Sequence, residues 1–344
     1  MDAEAPPPDI SVAVVNWNRR EYLRACLDSL ARQRGASFEI IVVDNGSSDG
    51  SAEMARAELG VRVIANTVNL GFCAANNQAF EAARGRFIAL LNNDAEAEPD
   101  FLAELRRAFD AAPDIGMAAA KVLVYEDPRR IDKAGHLIYP DGQNRGRGTG
   151  ETDHRQYDQI EECLWPDGCA AMYRKAMLDA IGGFDEDLFM FGDDAELGLR
   201  ARIAGWRCLY MPGAVVRHHR GASLAAGSIE RIFLIERNRV LLAAKLFPWR
   251  LLLWNPAYFA LRLAGGLWAA AGGKGEMVRF PGLVNKLRLA QTILRADLAA
   301  LHMLPRMLRK RREVRQLAKL GPAQVTALIL RNRIGVRALV EKSN

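Results

Sequence analysis

One segment of the sequence concentrates acidic side chains in a way that could do chemistry. The carboxylates of Asp193, Asp194 and Glu196 fall within four positions, directly after the stretch 189–192. A carboxylate at the floor of a pocket can act as a general base and take a proton from a hydroxyl group. Acids are also favoured in the first turn of any helix, because its unpaired N–H groups and its dipole attract negative charge. The segment alone leaves both interpretations open, a catalytic base or a well-capped surface helix.

Three polar clusters elsewhere in the chain follow apolar stretches that are typical of buried strands. They are Asn16-Trp17-Asn18, Asp44-Asn45-Gly46-Ser47 and Asn92-Asn93-Asp94. In an open α/β sheet, ligands bind at the carboxyl ends of the strands, so the clusters are predicted to share one edge of the sheet. Asn, Asp, Gly and Ser are also ordinary turn residues, which is the alternative explanation for each cluster.

The elements that must position these clusters alternate between strand and helix. Apolar runs rich in β-branched residues predict strands over 10–15, 38–43, 61–65 and 87–91. Helical spacing of apolar residues lies between them, which is typical of βαβ units and a mostly parallel sheet. No GxGxxG follows the first strand and no GxxxxGKS/T occurs, which argues against a dinucleotide fold and a P-loop NTPase.

Cysteine usage and the N-terminus bear on the cellular compartment. The five cysteines are odd in number and lack CxxC spacing, so neither a disulfide framework nor a zinc site is expected. Residues 1–9 are acidic and rich in proline, without the basic-then-apolar pattern of a signal peptide. We therefore expect a reducing, cytoplasmic compartment.

The charge of the chain is divided unevenly along its length. Residues 231–344 hold 22 Lys and Arg against 5 Asp and Glu, a net charge of +17. Residues 1–230 hold 25 basic against 36 acidic residues, a net charge of −11. The two parts are therefore expected to face different partners.

Two helical patterns in the basic part suggest which partner it meets. Residues 251–271 are mostly apolar, but Arg262 and several Gly and Pro interrupt them, so an interfacial or buried helix is predicted rather than a membrane span. Residues 283–315 repeat Leu and Met at helical spacing, with Arg and Lys on the other face. Such helices lie in the plane of anionic membranes. A homo-oligomer contact is an alternative, and nucleic acid is not expected because no signature with stacking aromatics is present.

Four motifs follow one another in an order that resembles a known enzyme family. They are the stretches 14–18 (VVNWN), 42–50 (VVDNGSSDG), 69–72 (NLGF) and 90–94 (LLNND). Together they resemble the GT-A glycosyltransferases of family 2, in particular the rhamnosyltransferase-like branch, over residues 10–225. The resemblance implies an α/β, GT-A (Rossmann-like) fold with a mixed, mostly parallel sheet and a C-terminal helical extension. It divides the chain into a catalytic domain, 1–230, and the basic extension, 231–344.

The resemblance implies a nucleoside-diphosphate sugar, UDP- or dTDP-linked, as the donor. Trp17 would lie against the base of the nucleotide and Asp44 would hydrogen-bond it. The residues that the resemblance places around the nucleotide sugar are Val15, Trp17, Asp44, Asn69, Gly71, Asn77, Asn93 and Asp94.

A divalent metal, Mg²⁺ or Mn²⁺, is the implied cofactor, because a hard cation offsets the charge that develops on a leaving diphosphate. Asp94 takes the place of the metal-binding acid of the family, in a degenerate motif with Glu96 in the third place. His218 is the second metal ligand that the resemblance implies, and His219 is the competing choice. The His-x-x-Gly-x-Ser pattern that selects His218 includes Gly221 and Ser223, and Arg220 within it is a candidate phosphate contact.

On the acceptor side, the resemblance assigns Asp194 as the catalytic base of an inverting enzyme, with Asp193 as its competitor. The acceptor-binding residues that it implies are Asp167, Gly168, Asp193 and Glu196, of which Asp193 and Glu196 would either orient their neighbours or hold the acceptor. For Asp167, an ordinary turn acid is an equal alternative.

An irregular hairpin or insertion is expected over residues 131–147. It contains His136, Arg145 and Arg147, which could contact phosphate or acceptor. A solvated loop is the interpretation that its Gly and Pro spacing favours.

These observations predict a metal-dependent, inverting glycosyltransferase that moves rhamnose or a hexose to a hydroxyl of a cell-envelope or lipid-linked glycan. Its predicted location is cytoplasmic and peripheral, at the inner face of the plasma membrane. The competing hypotheses are a non-catalytic nucleotide-binding or membrane-scaffolding protein with a degenerate site, and a nucleotidyltransferase.

Overall fold

A computed structural model describes residues 7–219 and 228–341 of the chain. The strands are β1 (Ile10–Asn16), β2 (Phe38–Asp44), β3 (Val61–Ala65), β4 (Phe87–Leu91), β5 (Ala95–Ala97), β6 (Ile115–Val124), β7 (Ile131–Ala134), β8 (His136–Ile138), β9 (Asn144–Gly146), β10 (Glu161–Cys163), β11 (Ala170–Arg174) and β12 (Arg207–His218). The helices are α1 (Arg20–Ala31), α2 (Ser51–Ala57), α3 (Gly71–Ala82), α4 (Phe101–Arg107), α5 (Lys175–Ile181), α6 (Asp193–Ile203), α7 (Ile229–Leu246), α8 (Trp249–Ala271), α9 (Gly282–Leu317), α10 (Pro322–Arg331) and α11 (Val336–Glu341). Short 3₁₀ turns occupy Ala108–Asp110, Glu186–Leu188 and Glu276–Arg279.

The main sheet has the strand order β10-β12-β6-β11-β4-β1-β2-β3, with β5 added beside β12 and β7 beside β6. Strands β3, β2, β1 and β4 pair in parallel, as the alternation of strand and helix predicts. Strand β11 runs antiparallel between β4 and β6, and β12 pairs in parallel with β6. The sheet is therefore mixed and mostly parallel, and the carboxyl ends of β1, β2 and β4 meet at one edge.

The sheet has apolar cores on both faces because its side chains alternate. In β1, Ile10, Val12 and Val14 face a core that α1, α2 and α4 complete. Ala13 faces the other core, which includes residues of α3, α5, α6, α7, α9 and α10. Strand β1 thus has the two-sided burial that is typical of apolar runs inside parallel sheets.

One long strand, β12, runs through a stretch that Pro212 and Gly213 interrupt. Strand β12 continues from Arg207 to His218 along β6, with an irregularity in register between Met211 and Val215. Because pairing with β6 continues on both sides of this irregularity, the strand carries His218 up to the functional edge of the sheet.

The helices of residues 231–344 differ in how they are packed. Helices α7 and α9 pack on each other and contribute to the core that also contains α6. Helix α8 has only Leu251 and Ala269 fully buried. Within residues 7–219 and 228–341, no helix is long and apolar enough to cross a membrane, as expected for 251–271.

Gly198 lets α6 lie directly against the buried ring of Trp165. A Cβ at this position would lie 2.2 Å from the Cβ of Trp165 and 2.6 Å from its Cγ. We expect Gly198→Ala to lower the melting temperature, because overpacking of about 1–3 kcal/mol outweighs the helix propensity that alanine adds. The matched control is Gly266→Ala in α8, where the nearest atom is the Met277 sulfur at 3.4 Å. Equal melting temperatures for the two variants in thermal unfolding would contradict this account.

Candidate active site

A cavity of about 1020 Å³ lies between the carboxyl edge of the sheet and the helices α7 and α9. Most of the residues selected from the sequence line it: Val15, Trp17, Asn69, Gly71, Asn93, Asp94, Asp167, Gly168, Asp193, Asp194 and His218. The extension contributes the opposite wall, with Phe233, Asn238, Arg279, Thr292 and Arg295 among its residues. One cavity therefore brings together side chains from both halves of the chain.

Asp44 does not line this cavity, which corrects the prediction that it contacts a base. Its carboxylate turns back into its own loop, where it accepts hydrogen bonds from the Ser47 backbone N–H at 2.9 Å and from the Asn16 amide at 3.2 Å. The residue is only 2% exposed. Asn45, the next residue, lines the cavity in its place.

Asn77 also lies outside the cavity and has a structural position instead of the predicted donor contact. Its amide oxygen accepts from the Phe184 N–H at 2.8 Å, and its amide nitrogen donates to the Phe184 carbonyl at 3.0 Å. The same nitrogen donates to Glu186 at 3.0 Å. Asn77 therefore ties α3 to the segment that precedes α6.

Glu196 has the first of its two predicted roles, orienting its neighbours, because its carboxylate is buried against cations and not directed to an acceptor. It pairs with Arg200 at 2.9 Å and with Lys245 of α7 at 2.7 Å, and it is 1% exposed. Lys245 also pairs with Asp185 at 2.6 Å. These buried pairs fix α6 against α7, and removal of one partner would leave an uncompensated buried charge.

Asp94 and His218 form a pair that fits a divalent metal. The Oδ1 atom of Asp94 is buried without a hydrogen-bond partner among the described residues, and it lies 3.3 Å from Nε2 of His218. On the other side of the imidazole, Nδ1 is 2.8 Å from Oδ2 of Asp132. A carboxylate at this nitrogen fixes the ring and directs Nε2 toward a metal, as in many metal sites. One carboxylate oxygen and one imidazole, completed by phosphate oxygens, suit Mn²⁺ or Mg²⁺.

His219, the competing choice, does not line the cavity. Its ring stacks on Tyr125, with 3.5 Å between ring centroids, and its Nδ1 lies 3.4 Å from a Glu126 oxygen. Glu96, the third position of the degenerate motif, lies 3.8 Å from His219 and is likewise absent from the lining. Arg220, Gly221 and Ser223, which complete the His-x-x-Gly-x-Ser pattern, lie outside the described residues.

The loop that leads into the two aspartates is held in an unusual backbone conformation. Phe189 and Phe191 have φ angles of 65° and 67°, which bulky residues seldom adopt. The amide nitrogen of Asn238, in α7, lies 2.9, 2.9 and 2.7 Å from the carbonyl oxygens of Leu188, Met190 and Phe191. Helix α7 thereby stabilises the loop from which α6 begins.

Position 71 lines the cavity, and its backbone conformation and close packing also require glycine. Its φ is +87°, and a Cβ there would lie 2.4 Å from the ring of Phe189. The loop before α6 therefore packs directly on the first turn of α3, so the donor-side motif also supports the acidic segment.

Asp193 and Asp194 lie at the start of α6 and influence each other's ionisation. Burial and the adjacent charge of Asp194 raise the pKa of Asp193 to about 8. Burial also raises the pKa of Asp194, but His136 and Lys133 oppose that shift. His136 and Lys133 therefore favour the charged carboxylate at Asp194, whereas the charge of Asp194 favours the protonated form of Asp193. Because a base must be ionised to accept a proton, this arrangement favours Asp194.

The raised pKa of Asp193 predicts a pH-dependent effect on stability. Between the unfolded value of 3.8 and about 8, the folded protein binds more protons than the unfolded chain, so this group destabilises the fold as pH rises through that window. Asp193→Asn should therefore gain melting temperature relative to wild type as pH rises from acidic to mildly alkaline. The exposed Asp28→Asn is the control. A difference that stays constant across the pH range would disprove the assignment.

The segment 131–147 is not the solvated loop that its sequence favours. His136 is 5% exposed, and its Nε2 lies 2.7 Å from Asp167 Oδ2 and 3.4 Å from Asp194 Oδ2. Lys133 lies 2.7 Å from the same Asp167 oxygen. Although burial alone would raise the pKa of Asp167, Lys133 and His136 hold it below its ordinary range.

Asp132, Lys133 and His136 are thus site residues that sequence reasoning missed or misplaced. Asp132 and Lys133 belong to β7, and His136 begins β8. Asp132 positions His218, and His136 contacts both Asp167 and Asp194. The available signal was a charged pair inside a short apolar stretch, Ile131 to Ala134, followed by Gly and His. Arg145 is buried in the cavity wall and donates to the Ala338 carbonyl at 2.9 Å, whereas Arg147 pairs with Glu161 at 2.7 Å outside it.

Comparison with known sequences places this site in context. Residues 11–182 match the profile of the family described as Glycosyl transferase family 2. An uncharacterized protein of Mycobacterium tuberculosis is 30% identical over 268 residues, which cover 76% of this chain and 81% of that protein. The N-acetylglucosaminyl-diphospho-decaprenol L-rhamnosyltransferase of Mycobacterium tuberculosis is 27% identical over 237 residues, 62% of this chain and 77% of that enzyme. The chain spans 25% of the length of another relative, a protein of Sinorhizobium fredii.

Solved structures share the fold. A mannosyltransferase from Pyrobaculum calidifontis, in complex with GDP-Man and Mn²⁺, superposes with a TM-score of 0.52 at 20% identity, covering 95% of this chain and 88% of that one. This likeness confirms the GT-A architecture, with its mixed sheet and C-terminal helical region. The profile matches half of this chain, and the match to the uncharacterized Mycobacterium tuberculosis protein covers 81% of that protein. The chain therefore belongs to glycosyl transferase family 2.

Proposed function

We propose that this protein is an inverting glycosyltransferase that moves a sugar from a UDP- or dTDP-sugar to a hydroxyl of a cell-envelope or lipid-linked glycan. The observation that carries the proposal is the shared cavity, which holds both the Asp94–His218 pair and the buried Asp193–Asp194 pair. A leaving diphosphate needs the first pair, and an attacking hydroxyl needs the second.

On the donor side, Asp94 and His218 would hold a divalent cation that offsets the charge on the leaving nucleoside diphosphate. Trp17 is 44% exposed at the cavity and offers its ring to a base. The mannosyltransferase neighbour is a complex with GDP-Man and Mn²⁺, and a relative is named a rhamnosyltransferase. These names support a nucleotide sugar with rhamnose or a hexose as the transferred group.

On the acceptor side, the Asp194 carboxylate would take the proton of the acceptor hydroxyl as its oxygen attacks the anomeric carbon. The bond between that carbon and the diphosphate oxygen breaks in the same displacement, which inverts the configuration. His136 lies 3.4 Å from Asp194 and positions its carboxylate. Asp167 and Gly168, in the adjacent wall, are proposed to contact the acceptor.

The two parts of the chain are proposed to share this work. Residues 1–230 would supply the donor site and the base, and residues 231–344 would supply the wall that the acceptor meets. The basic charge of the extension supports a peripheral location at the inner face of the plasma membrane. The rhamnosyltransferase relative is named for a lipid-diphosphate acceptor, which supports the same location.

The test is incubation of the purified protein with a panel of nucleotide sugars, with and without Mn²⁺ or Mg²⁺, and a lipid-linked or soluble glycan acceptor. Metal-dependent release of nucleoside diphosphate together with a glycosylated acceptor is the expected result. Release of pyrophosphate would indicate a nucleotidyltransferase. Nucleotide-sugar binding by thermal shift, without any transfer across the acceptor panel, would favour a non-catalytic binding protein.

A further inference from the structure

The outward face of α8 is an exposed stripe without a charged residue. Its large members are Leu253, Trp254, Leu261, Leu267 and Trp268, each with more than half of its surface exposed. The remaining exposed positions between 253 and 271 are Pro256, Ala257, Ala260, Ala264 and Ala271. At 1.5 Å per residue, this stripe is about 27 Å long. A contiguous apolar surface of this size on a soluble protein marks an interaction site.

Basic side chains flank the ends of this stripe. Arg250 lies at its start and Lys274 follows its end, and both are exposed. Arg337 of α11 is 72% exposed and lies with its guanidinium 5.8 Å from the ring centroid of Trp268. Glu341 is the acid among them, at 2.9 Å from Arg337 and 4.0 Å from Lys274. The rim therefore keeps an excess of positive charge.

We infer that this stripe docks the protein on an anionic lipid bilayer, with α8 lying in the plane of the interface. Trp and Leu on one helix face bury well at the boundary between headgroups and acyl chains, and a basic rim complements anionic headgroups. A second copy of the chain would fit less well, because two such faces in an isologous contact would oppose their basic rims.

The basic run at 309–312 lies within the amphipathic pattern 283–315, but part of it contacts the protein itself. Lys310 pairs with Asp187 at 2.7 Å and also with Asp185, and Arg311 donates to the Ala244 carbonyl at 3.0 Å. These contacts hold α9 on the rest of the protein. Within the described part of the chain, the large apolar residues of the stripe on α8 make no ion pair with the rest of the protein, so the stripe is the better candidate for docking.

The docking face and the cavity are joined by one short segment. The turn 276–279 packs on α8, where Met277 lies beside Gly266. Arg279 at the end of the same turn lines the cavity, as do Thr292 and Arg295 of α9. A docked protein would thus hold this wall of the cavity near the bilayer, so an acceptor carried by a lipid could enter from it. This consequence, unlike the docking itself, rests on the proposed function.

The experiment measures co-sedimentation of the full-length protein with vesicles of phosphatidylglycerol and phosphatidylcholine, and with vesicles of phosphatidylcholine alone. The variant Trp254→Glu/Leu261→Glu is compared with a charge-matched control, Leu59→Glu/Ile160→Glu, at exposed apolar positions outside the extension. We expect wild type and control to bind the anionic vesicles, with affinity falling as salt rises. The stripe variant should bind at least about tenfold more weakly, since each site loses apolar burial.

A second variant tests the docking independently, in case the first variant misfolds. Arg250→Gln/Lys274→Gln/Arg337→Gln keeps the apolar stripe, and should weaken binding to anionic vesicles and flatten its salt dependence. Equal binding by all variants, or no binding by wild type, overturns the inference. A stripe variant that changes only the oligomeric state in sedimentation velocity assigns the face to a second copy instead. Vesicle binding is read without any sugar, so failure of the transfer assay would leave docking standing.

Discussion

Asp194→Asn is expected to lower kcat for sugar transfer by roughly 10²–10⁴-fold, the range for removing a positioned general base. An amide cannot accept the hydroxyl proton, but it keeps nearly the same size at the start of α6. Donor binding should be nearly unchanged, because the Asp94–His218 pair comes from the turn between β4 and β5 and from the end of β12, whereas Asp194 lies in α6. The measurements are initial rates of transfer, and nucleotide-sugar affinity by calorimetry in the presence of Mn²⁺.

Asp193→Asn is the sharpest comparison for that result, since the two aspartates are adjacent and both buried. If Asp193 is mostly protonated near neutral pH, its amide variant should keep much more transfer activity than Asp194→Asn. Asp179→Asn, on the exposed side of α5, controls for the loss of one charge. Near wild-type transfer by Asp194→Asn, with loss of transfer in Asp193→Asn, would reassign the base.

Asp94→Asn is expected to remove most of the Mn²⁺ binding at this site. Removing Asp132, which orients His218, should weaken Mn²⁺ affinity by about 10–100-fold, and removing Asp94 should weaken it more than that. The readout is Mn²⁺ binding by electron paramagnetic resonance in the presence of UDP, which does not require turnover.

Glu96→Gln provides the matched control for this prediction. Glu96 occupies the third place of the degenerate motif but lies beside His219, outside the cavity lining. Its variant should bind Mn²⁺ as wild type does. A larger loss in Glu96→Gln than in Asp94→Asn would mean that the motif binds metal in another geometry.

Local pattern was a sound guide where burial and pairing agree with it. The apolar run at 87–91 is a strand with those bounds and is buried on both faces, as in the interior of a parallel sheet. The run at 61–65 is also a strand with the predicted bounds, although it is an edge strand whose residues are at most partly buried. The polar clusters that follow β1 and β4 do meet at one edge, as the topology requires. Asp94 and Asp194 could be selected from the sequence because Asp94 follows a strongly patterned strand and Asp194 lies at the start of a helix.

The sequence does not predict the direction in which a side chain of a polar cluster points. Asp44 and Glu196 have the same chemistry as the acids that line the cavity, but a loop amide and two buried cations turn them away from it. Lys133 and His136 are brought to the site by a hairpin whose own sequence resembles a solvated insertion. These positions depend on contacts between residues far apart in the chain, which periodicity does not report.

The side-chain amide of Asn238, which holds the loop before α6, lies in a part of the chain that the family profile does not reach. The family profile ends at residue 182, so the acidic helix, and the asparagine that stabilises its entry, both lie beyond it. Under the proposed function, the donor-side metal pair spans this boundary, because Asp94 lies within the matched range and His218 lies beyond it. The proposed base, Asp194, also lies beyond it, so the catalytic residues depend on a segment that the profile does not cover and that α7 holds in place.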